Sequence, residues 1–464
     1  MDTRVENFFK NIKGKRIAFC GIGVSNLPLT TMFAQKGAVV YACDRKSADQ
    51  LGEAAEQMQK NGVILKCGDT YLDDLDVDII FRAPGMYYNM PKLQEYRNKG
   101  VVVTSEMEVF FDLCPARIYA ITGSDGKTTT TTLISEMLKK SGKKVYIGGN
   151  IGKALLPLIE EMTCQDYAVV ELSSFQLISM RKSPDVALIT NVAPNHLDVH
   201  GTMEEYIESK LNLIIHQNAF SKTVLNLDNE ITFNMADKVR GELCHFSRKS
   251  VVTNGAYCDE NGDIYRVFQG DKQFVMNKSQ IKLPGEHNVE NYIAAVSAVG
   301  DEVSVEDIVY VAENFGGVEH RIELVRTLDG VSYYNDSIAT SPTRTIAGLK
   351  SFGRKIIVIA GGYDKHIPYE PLAPYVNEFV KVLILTGATA DKIEAAVKGD
   401  KTYCEKNIKI IRAEDLEQAV KLARENAVEG DVISLSPASA SFDKYRNFEE
   451  RGIHFKNIVN GLQE

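Results

Sequence analysis

The stretch Arg117-Ile-Tyr-Ala-Ile-Thr122-Gly-Ser-Asp-Gly-Lys127-Thr-Thr-Thr-Thr-Thr132 constrains this chain more than any other. A short apolar run gives way to a glycine turn, and the turn opens directly into a segment of helical length near Lys127–Lys140. A buried strand feeding a helix through so few residues is the unit from which parallel α/β sheets are built. Glycines let backbone N–H groups approach an anion, and the helix N-terminus adds partial positive charge. Lys127 is placed to reach the β- and γ-phosphates of a nucleotide, and the Thr128 hydroxyl to bind Mg²⁺. The candidate contacts are therefore Gly123, Ser124, Asp125, Gly126, Lys127, Thr128 and Thr129. The spacing departs from the common phosphate-loop pattern, because the position six before Lys127 is Ile121. The five threonines Thr128–Thr132 are poor helix formers, which points to another use for some of their hydroxyls. The competing reading is a glycine-capped turn without a ligand.

The same alternation of β-branched runs and amphipathic stretches recurs three times, which predicts three consecutive α/β domains in 464 residues. The first block has strands at 16–20, 39–43, 77–81 and 100–104, and a helix over Asp49–Lys60. The second has strands at 117–122, 167–172 and 186–190, a helix over Met203–Gln217, and hairpins between Val251 and Leu283. The third has strands at 332–336, 355–360, 381–386 and 431–436, with a helix over Ala413–Asn426. Boundaries near Ser105 and Glu319 divide the chain into 1–105, 106–318 and 319–464.

Composition narrows the partners. Fifty-three Lys and Arg stand against 62 Asp and Glu, a net charge of −9, which argues against a non-specific binder of nucleic acid or anionic membranes. The eight cysteines are scattered with no CxxC pair, so neither structural zinc nor a disulfide framework is expected. No window approaches the ~20 apolar residues of a membrane span. The start carries mixed charge and no signal-peptide core, and a cytoplasmic location is expected.

Three further features carry chemistry. In Tyr167-Ala-Val-Val-Glu171-Leu-Ser-Ser a carboxylate ends an apolar strand, the edge of a parallel sheet where ligands sit. A buried carboxylate there needs a partner, and a metal would serve; the alternative is an exposed strand-end Glu. In Asn191-Val-Ala-Pro-Asn-His196-Leu-Asp198, polar groups cluster just past another apolar strand, as ligands or as structural groups. In the first block, Phe19-Cys-Gly21-Ile-Gly23-Val24-Ser25-Asn26 follows a strand, with Asp44 ending the next. That pattern reads as a dinucleotide fingerprint in which Asn26 replaces the third glycine.

The motifs ITGSDGKTT, VVELSSFQL, NVAPNHLDVHGT, MEEYIESK, LPGEHNVENYIAA and GVEHRIE, in that order, resemble the Mur ligases, ATP-dependent amide ligases of peptidoglycan-precursor synthesis. In the C-terminal block YYNDSIATSPTRT, AGGYDKH and LSPASASFDKYRNFEERG resemble the branch that adds D-glutamate to UDP-N-acetylmuramoyl-L-alanine. The resemblance implies a Rossmann-like N-terminal domain, a central P-loop ATPase-like domain with flanking hairpins, and a C-terminal Rossmann-like domain that closes over the site. It implies ATP and two Mg²⁺ ions, those two substrates, no nucleic acid, no membrane insertion, and a monomer. Lys127, Asn150, His196 and Lys210 match positions around the transferring phosphate. Thr128, Glu171, His196 and Lys210 match the metal positions, the last as a carbamate; by local pattern alone Lys210 is a surface helix lysine.

Asn288 and Asn291 match adenine-side positions, and Arg321 and Asp336 nucleotide contacts of the C-terminal domain. Thr340, Lys365, Ser441 and Phe448 match the D-glutamate site. The resemblance reassigns the first glycine turn to a UDP diphosphate, with Val24, Ser25 and Asn26 beneath it. Asp44, Arg45 and Lys46 would lie near the uridine and Gly85 on the opposite wall. Two departures stand out: Ile338 occupies a position where the family usually has Lys, and Asp125 one where it has Asn. The rivals are another ligase of the superfamily (L-alanine-adding, third-residue-adding or folylpolyglutamate synthase), a nicotinamide-dependent dehydrogenase built on the first block, and a nucleotide-switch or motor ATPase.

Overall fold

The β-branched runs form three sheets in succession. The computed structural model describes residues 2–194 and 197–463. The first sheet contains β1 (Arg16–Cys20), β2 (Val39–Asp44), β3 (Ile64–Cys67), β4 (Ile79–Arg82) and β5 (Val102–Thr104). All its strands are parallel, in the order β3-β2-β1-β4-β5. The second comprises β6 (Arg117–Thr122), β7 (Val145–Gly149), β8 (Tyr167–Glu171), β9 (Val186–Ile189), β10 (Lys222–Asn226), β11 (Glu242–Ser247), β12 (Gly255–Cys258), β13 (Asp263–Phe268) and β14 (Asp271–Asn277). Its order is β14-β13-β12-β11-β10-β9-β6-β8-β7, parallel except for the two hairpin pairings at the β14 end. The third holds β15 (Glu323–Leu328), β16 (Val331–Asn335), β17 (Ile356–Ala360), β18 (Val380–Leu385), β19 (Lys409–Arg412) and β20 (Val432–Leu435), ordered β15-β16-β20-β17-β18-β19. There only β15 runs antiparallel to its neighbour.

The chain divides into two compact units, Met1–Gln280 with Val289–Val311, and Ile281–Asn288 with Ala312–Glu464. The first unit therefore carries two of the three sheets. Central strands such as β1, β8, β9 and β17 are buried on both faces, which is why they read as unbroken apolar runs. The strands that the pattern did not mark, among them β3 and β19, are short and only partly buried, and they mix charged with apolar residues.

Local chemistry explains other departures from the sequence reading. The helix expected over Asp49–Lys60 is two helices, Ala48–Leu51 and Glu53–Lys60, because Gly52 between them adopts φ +55°. The helix expected to reach Gln217 ends at Leu211, where the Asn212 carbonyl accepts a hydrogen bond from Ser183 Oγ at 3.0 Å. All eight cysteines are free thiols, and no described helix is long and apolar enough to cross a membrane.

Phe33 anchors the core of the first sheet. Its ring is fully buried and packs edge-to-face against Phe8, Phe9, Phe19 and Phe81, with centroids 5.2–6.1 Å away. Phe33→Ala should cost about 3–5 kcal/mol. The expected result is a lower urea midpoint for the first unit, followed by circular dichroism because the chain has no Trp.

Candidate active site

Strand β6 lies between β8 and β9, so the glycine turn leaving it is flanked by the ends of both neighbours. Two glycines allow the turn its shape. A Cβ on Gly123 (φ +150°) would lie 1.9 Å from Thr190 Oγ1, and one on Gly126 (φ +78°) 2.4 Å from Asn291 Oδ1. The strand-end residues then lash the loop down. Ser124 N donates to the Asn191 carbonyl at 2.9 Å, Asp125 N to Asn191 Oδ1 at 3.0 Å, and Thr190 Oγ1 to the Asp125 carbonyl at 2.5 Å.

The Ser124 hydroxyl is turned inward, between Ala193 at 2.9 Å and Tyr206 Oη at 3.1 Å, while the Asp125 side chain is exposed. Lys127 curls back so that Nζ donates to the Gly123 and Ser124 carbonyls, both at 2.9 Å. Thr128, Thr130 and Thr131 are buried and Thr129 half-buried. Thr130 Oγ1 donates to Asn291 Oδ1 at 3.3 Å, so part of the threonine run secures the helix rather than facing the loop.

Beneath the turn sits Lys210, 1% exposed, on the helix Met203–Leu211. Its Nζ donates to the Gly123 carbonyl at 3.0 Å and to Thr122 Oγ1 at 3.3 Å, and lies 4.6 Å from the centre of the Tyr206 ring. The surface placement that its local pattern suggests is wrong. Burial first, and then the nearby Lys127 charge, lower its pKa to about 7. A large fraction of the side chain is therefore the neutral, nucleophilic amine at physiological pH.

Glu171, the last residue of β8, is also 1% exposed. Its Oε1 accepts from Asn150 Nδ2 at 2.8 Å, and its buried Oε2 has no hydrogen-bond partner. An orphaned carboxylate oxygen costs free energy unless a cation or donor completes it. Together with the Thr128 hydroxyl it supplies the hard oxygen donors that Mg²⁺ prefers. His196 lies outside the described residues.

At the first glycine turn, Gly21 (φ +82°) approaches Ala83 so closely that a Cβ would stand 2.8 Å from it. Val24 is exposed, Ser25 half-buried, and Gly85 faces open space. Asn26 is buried instead; its Nδ2 donates to the Cys20 and Gly21 carbonyls at 3.2 and 3.0 Å, so its side chain supports the turn. Asp44 likewise accepts from Ile22 N and Lys46 N at 2.6 and 2.8 Å. Arg45 pairs with Asp69 at 3.3 Å, and the Lys46 side chain is exposed.

In the second unit Asp336 is buried, accepts from Ser436 Oγ at 2.9 Å, and has its pKa raised to about 7 by burial, against the opposing charges of Arg321 and Arg344. Arg321 is half-buried. The turn that follows carries Ile338 and Thr340, and the Ile338 carbonyl accepts from Thr340 N at 2.7 Å and from Arg344 Nη1 at 3.1 Å. A guanidinium thus stands at the turn where position 338 itself offers no cation. Ser441 is buried, Lys365 exposed, and the carbonyl of the half-buried Phe448 accepts from Ser337 Oγ at 2.8 Å. Asn288, also in this unit, donates to the Pro284 carbonyl at 2.7 Å, whereas Asn291 belongs to the first unit under the phosphate turn.

Residues 121–299 match the Mur ligase middle domain, and residues 320–439 the Mur ligase glutamate ligase domain. Over the full length of both chains the sequence is 50% identical to the UDP-N-acetylmuramoylalanine–D-glutamate ligase of Acetivibrio thermocellus, and likewise to that of Clostridium acetobutylicum. The chain belongs to the Mur ligase family. Solved Mur ligases share its fold. The UDP-N-acetylmuramate–alanine ligase MurC of Thermotoga maritima superposes with a TM-score of 0.57 at 17% identity, over 96% of this chain and 99% of that one. MurF of Acinetobacter baumannii gives 0.57 at 17%, over 96% and 93%.

Sequence reasoning overlooked two residues that shape this Mur ligase site. Thr190 holds the phosphate turn beside Asn191, which the polar cluster past β9 marks, and Tyr206 lies one helical turn before Lys210 on the same face. Only the i, i+4 spacing of Tyr206 and Lys210 was a usable signal. The Lys210 titration gives a direct check in bicarbonate-free buffer. The unfolded chain keeps this proton to about pH 10.5 and the folded chain only to about 7, so between those values the unfolded state binds more protons. Wild-type stability should therefore rise with pH from 7 to 10 relative to Lys210→Met, read from urea midpoints. A constant difference would contradict the buried amine.

Proposed function

We propose that this Mur ligase joins D-glutamate to UDP-N-acetylmuramoyl-L-alanine at the expense of ATP, releasing ADP and phosphate, in peptidoglycan-precursor synthesis. The observation that carries the reading is the pair of buried groups at the sheet edge bearing the phosphate turn: the Lys210 amine on the Gly123 carbonyl, and Glu171 at the end of β8 with an unpartnered oxygen. The names of the full-length relatives support the choice of acceptor and amino acid. Residues 1–105 take the UDP moiety through Val24, Ser25, Arg45, Lys46 and Gly85, with Asn26 and Asp44 shaping the turn. Residues 106–318 take ATP, through Gly123 to Thr129 with Asn288 and Asn291. Residues 319–464 supply Arg321 and Asp336 for the nucleotide and Thr340, Lys365, Ser441 and Phe448 for D-glutamate.

A carboxylate is a poor acyl donor because its oxygen is a poor leaving group, so it is first phosphorylated. The acceptor carboxylate oxygen attacks the γ-phosphorus, the bond to the ADP oxygen breaks, and Lys127 with the loop amides spreads the developing charge. The D-glutamate nitrogen then attacks the acyl carbon. A proton leaves the amine, the C–O bond to phosphate breaks, and an amide remains. Thr128, Glu171, His196 and Lys210 would hold Mg²⁺, which neutralises phosphate charge when bound. Lys210 serves as a ligand only after its neutral amine adds CO₂: an N–C bond forms, a proton leaves, and an anionic carbamate results. Asn150 fixes the Glu171 carboxylate through Oε1.

Phosphate release tests the reading. It should require ATP, UDP-N-acetylmuramoyl-L-alanine and D-glutamate together, and L-glutamate should not substitute; preference for another amino acid overturns the assignment. Lys127→Ala should lower kcat by about 10²–10³-fold. Lys210→Ala should be inactive and partly rescued by short carboxylic acids. Lys365→Ala should raise the KM for D-glutamate roughly tenfold, the size of one lost charge-assisted hydrogen bond.

A further inference from the structure

Arg82 is the largest fully buried side chain of the first unit, with a relative exposure of 0%. It ends β4, immediately before Ala83-Pro-Gly85, and forms no ion pair with a described residue. Burial lowers the pKa of its guanidinium, the charge of Glu108 opposes that shift without forming an ion pair, and a packed apolar side chain would join two surfaces at less cost. Its two terminal nitrogens are committed to two separate segments, while the buried Nε has no hydrogen-bond partner. Nη1 donates to the Met86 carbonyl at 3.0 Å, while Nη2 donates to the Phe175 carbonyl at 3.0 Å and to Ser179 Oγ at 2.7 Å. The first bond spans the loop from its entry residue to its exit, and Met86 N closes the turn onto the Ala83 carbonyl at 2.9 Å. That loop is the wall that abuts Gly21 of the first glycine turn.

The other two bonds reach the short helix Ser174–Leu177 and the turn after it, a few residues beyond Glu171. This segment is itself fastened to the region following β9, since the His200 ring stacks on Phe175 at 5.1 Å and bonds Ser174 Oγ at 2.9 Å. The loop has a second attachment: Tyr87 Oη bonds Glu205 on the helix that carries Lys210. Arg97 stacks on Tyr88 at 4.1 Å and donates to its carbonyl at 2.7 Å, which stiffens the loop's far end.

We infer that Arg82 is a positioning residue that fixes the wall of the UDP subsite to the segment bearing Glu171, so that a bound acceptor presents its carboxylate to the phosphate turn. The inference rests on the acceptor assignment proposed above. Arg82 touches neither substrate nor metal; it sets the distance between the two places where the acceptor is held.

The test compares wild type with R82M, R82K and S179A. Affinity for UDP-N-acetylmuramoyl-L-alanine is measured by calorimetry without turnover, and KM values for acceptor, ATP and D-glutamate by phosphate release. R82M should weaken acceptor affinity and raise acceptor KM by about 10–100-fold, the size of one lost charge-assisted bond, with the other KM values within about twofold. S179A should shift acceptor KM in the same direction by less, and R82K should recover part of the R82M loss. Unchanged acceptor affinity in folded R82M overturns the inference. So do three KM values rising together with a lowered melting temperature, which mark a merely structural role. If R82M does not fold, S179A and R82K decide the matter, and an unmoved acceptor KM in both overturns the inference. Wild type is the separate control: without D-glutamate-dependent phosphate release the proposed reaction fails, whereas the Arg82 inference is decided by the affinity ratio.

Discussion

The site is organised around an amine that has been taken out of water. Lys210 lies under the phosphate turn with its Nζ against the Gly123 carbonyl and Thr122 Oγ1, and the Lys127 charge above it further disfavours protonation. Two demands follow from that one placement. The turn needs glycine at 123 and 126, because Thr190 and Asn291 fill the space a Cβ would take. The helix Met203–Leu211 must be held close to β6, which Tyr206 does through Ser124. The neighbouring strand β8 ends in Glu171, a buried carboxylate with one oxygen still unpartnered, at the same edge of the sheet. Remove the burial of Lys210 and it becomes an ordinary surface cation, with no chemistry beyond its charge.

The same economy of local charge reconciles a net charge of −9 with a reaction among anions. Positive potential is concentrated where it is used: at loop amides, at helix N-termini, on Lys127 above the turn, and on Arg344 at the Ile338 carbonyl. Arg82 applies that economy to geometry. Its charge faces main-chain carbonyls of two segments, so it strengthens the hydrogen bonds that join them without presenting charge to a ligand.

How much of this was legible in the sequence depended on the range of the interactions. The phosphate turn was readable because strand, glycine and helix are adjacent in the chain, and the helix Lys127–Lys140 has the expected limits. The buried strands were readable because burial on both faces leaves an unbroken apolar run. The edge strands β3 and β19 were not, since half-exposure dilutes the pattern. Asn26 and Asp44 read as ligand contacts because they flank a glycine turn, yet their side chains complete the turn's own hydrogen bonds. Lys210 is the sharpest case. Within its helix only Tyr206, one turn earlier on the same face, sets it apart from a solvated lysine; its burial is set by β6, 88 residues earlier in sequence, and the family resemblance singled it out. Arg82 carried no signal, because two of its partners are carbonyls, which every residue possesses, and the third is a serine 97 residues away.

The proposed capture of CO₂ by the neutral Lys210 amine, which would turn a buried amine into an anionic ligand, is tested most directly by ¹³C NMR of the protein in ¹³C-bicarbonate. Wild type should show a carbamate carbon resonance that disappears in Lys210→Arg and strengthens as pH rises through 7. Catalytically active wild type without such a resonance, or a resonance that persists in Lys210→Arg, would contradict it.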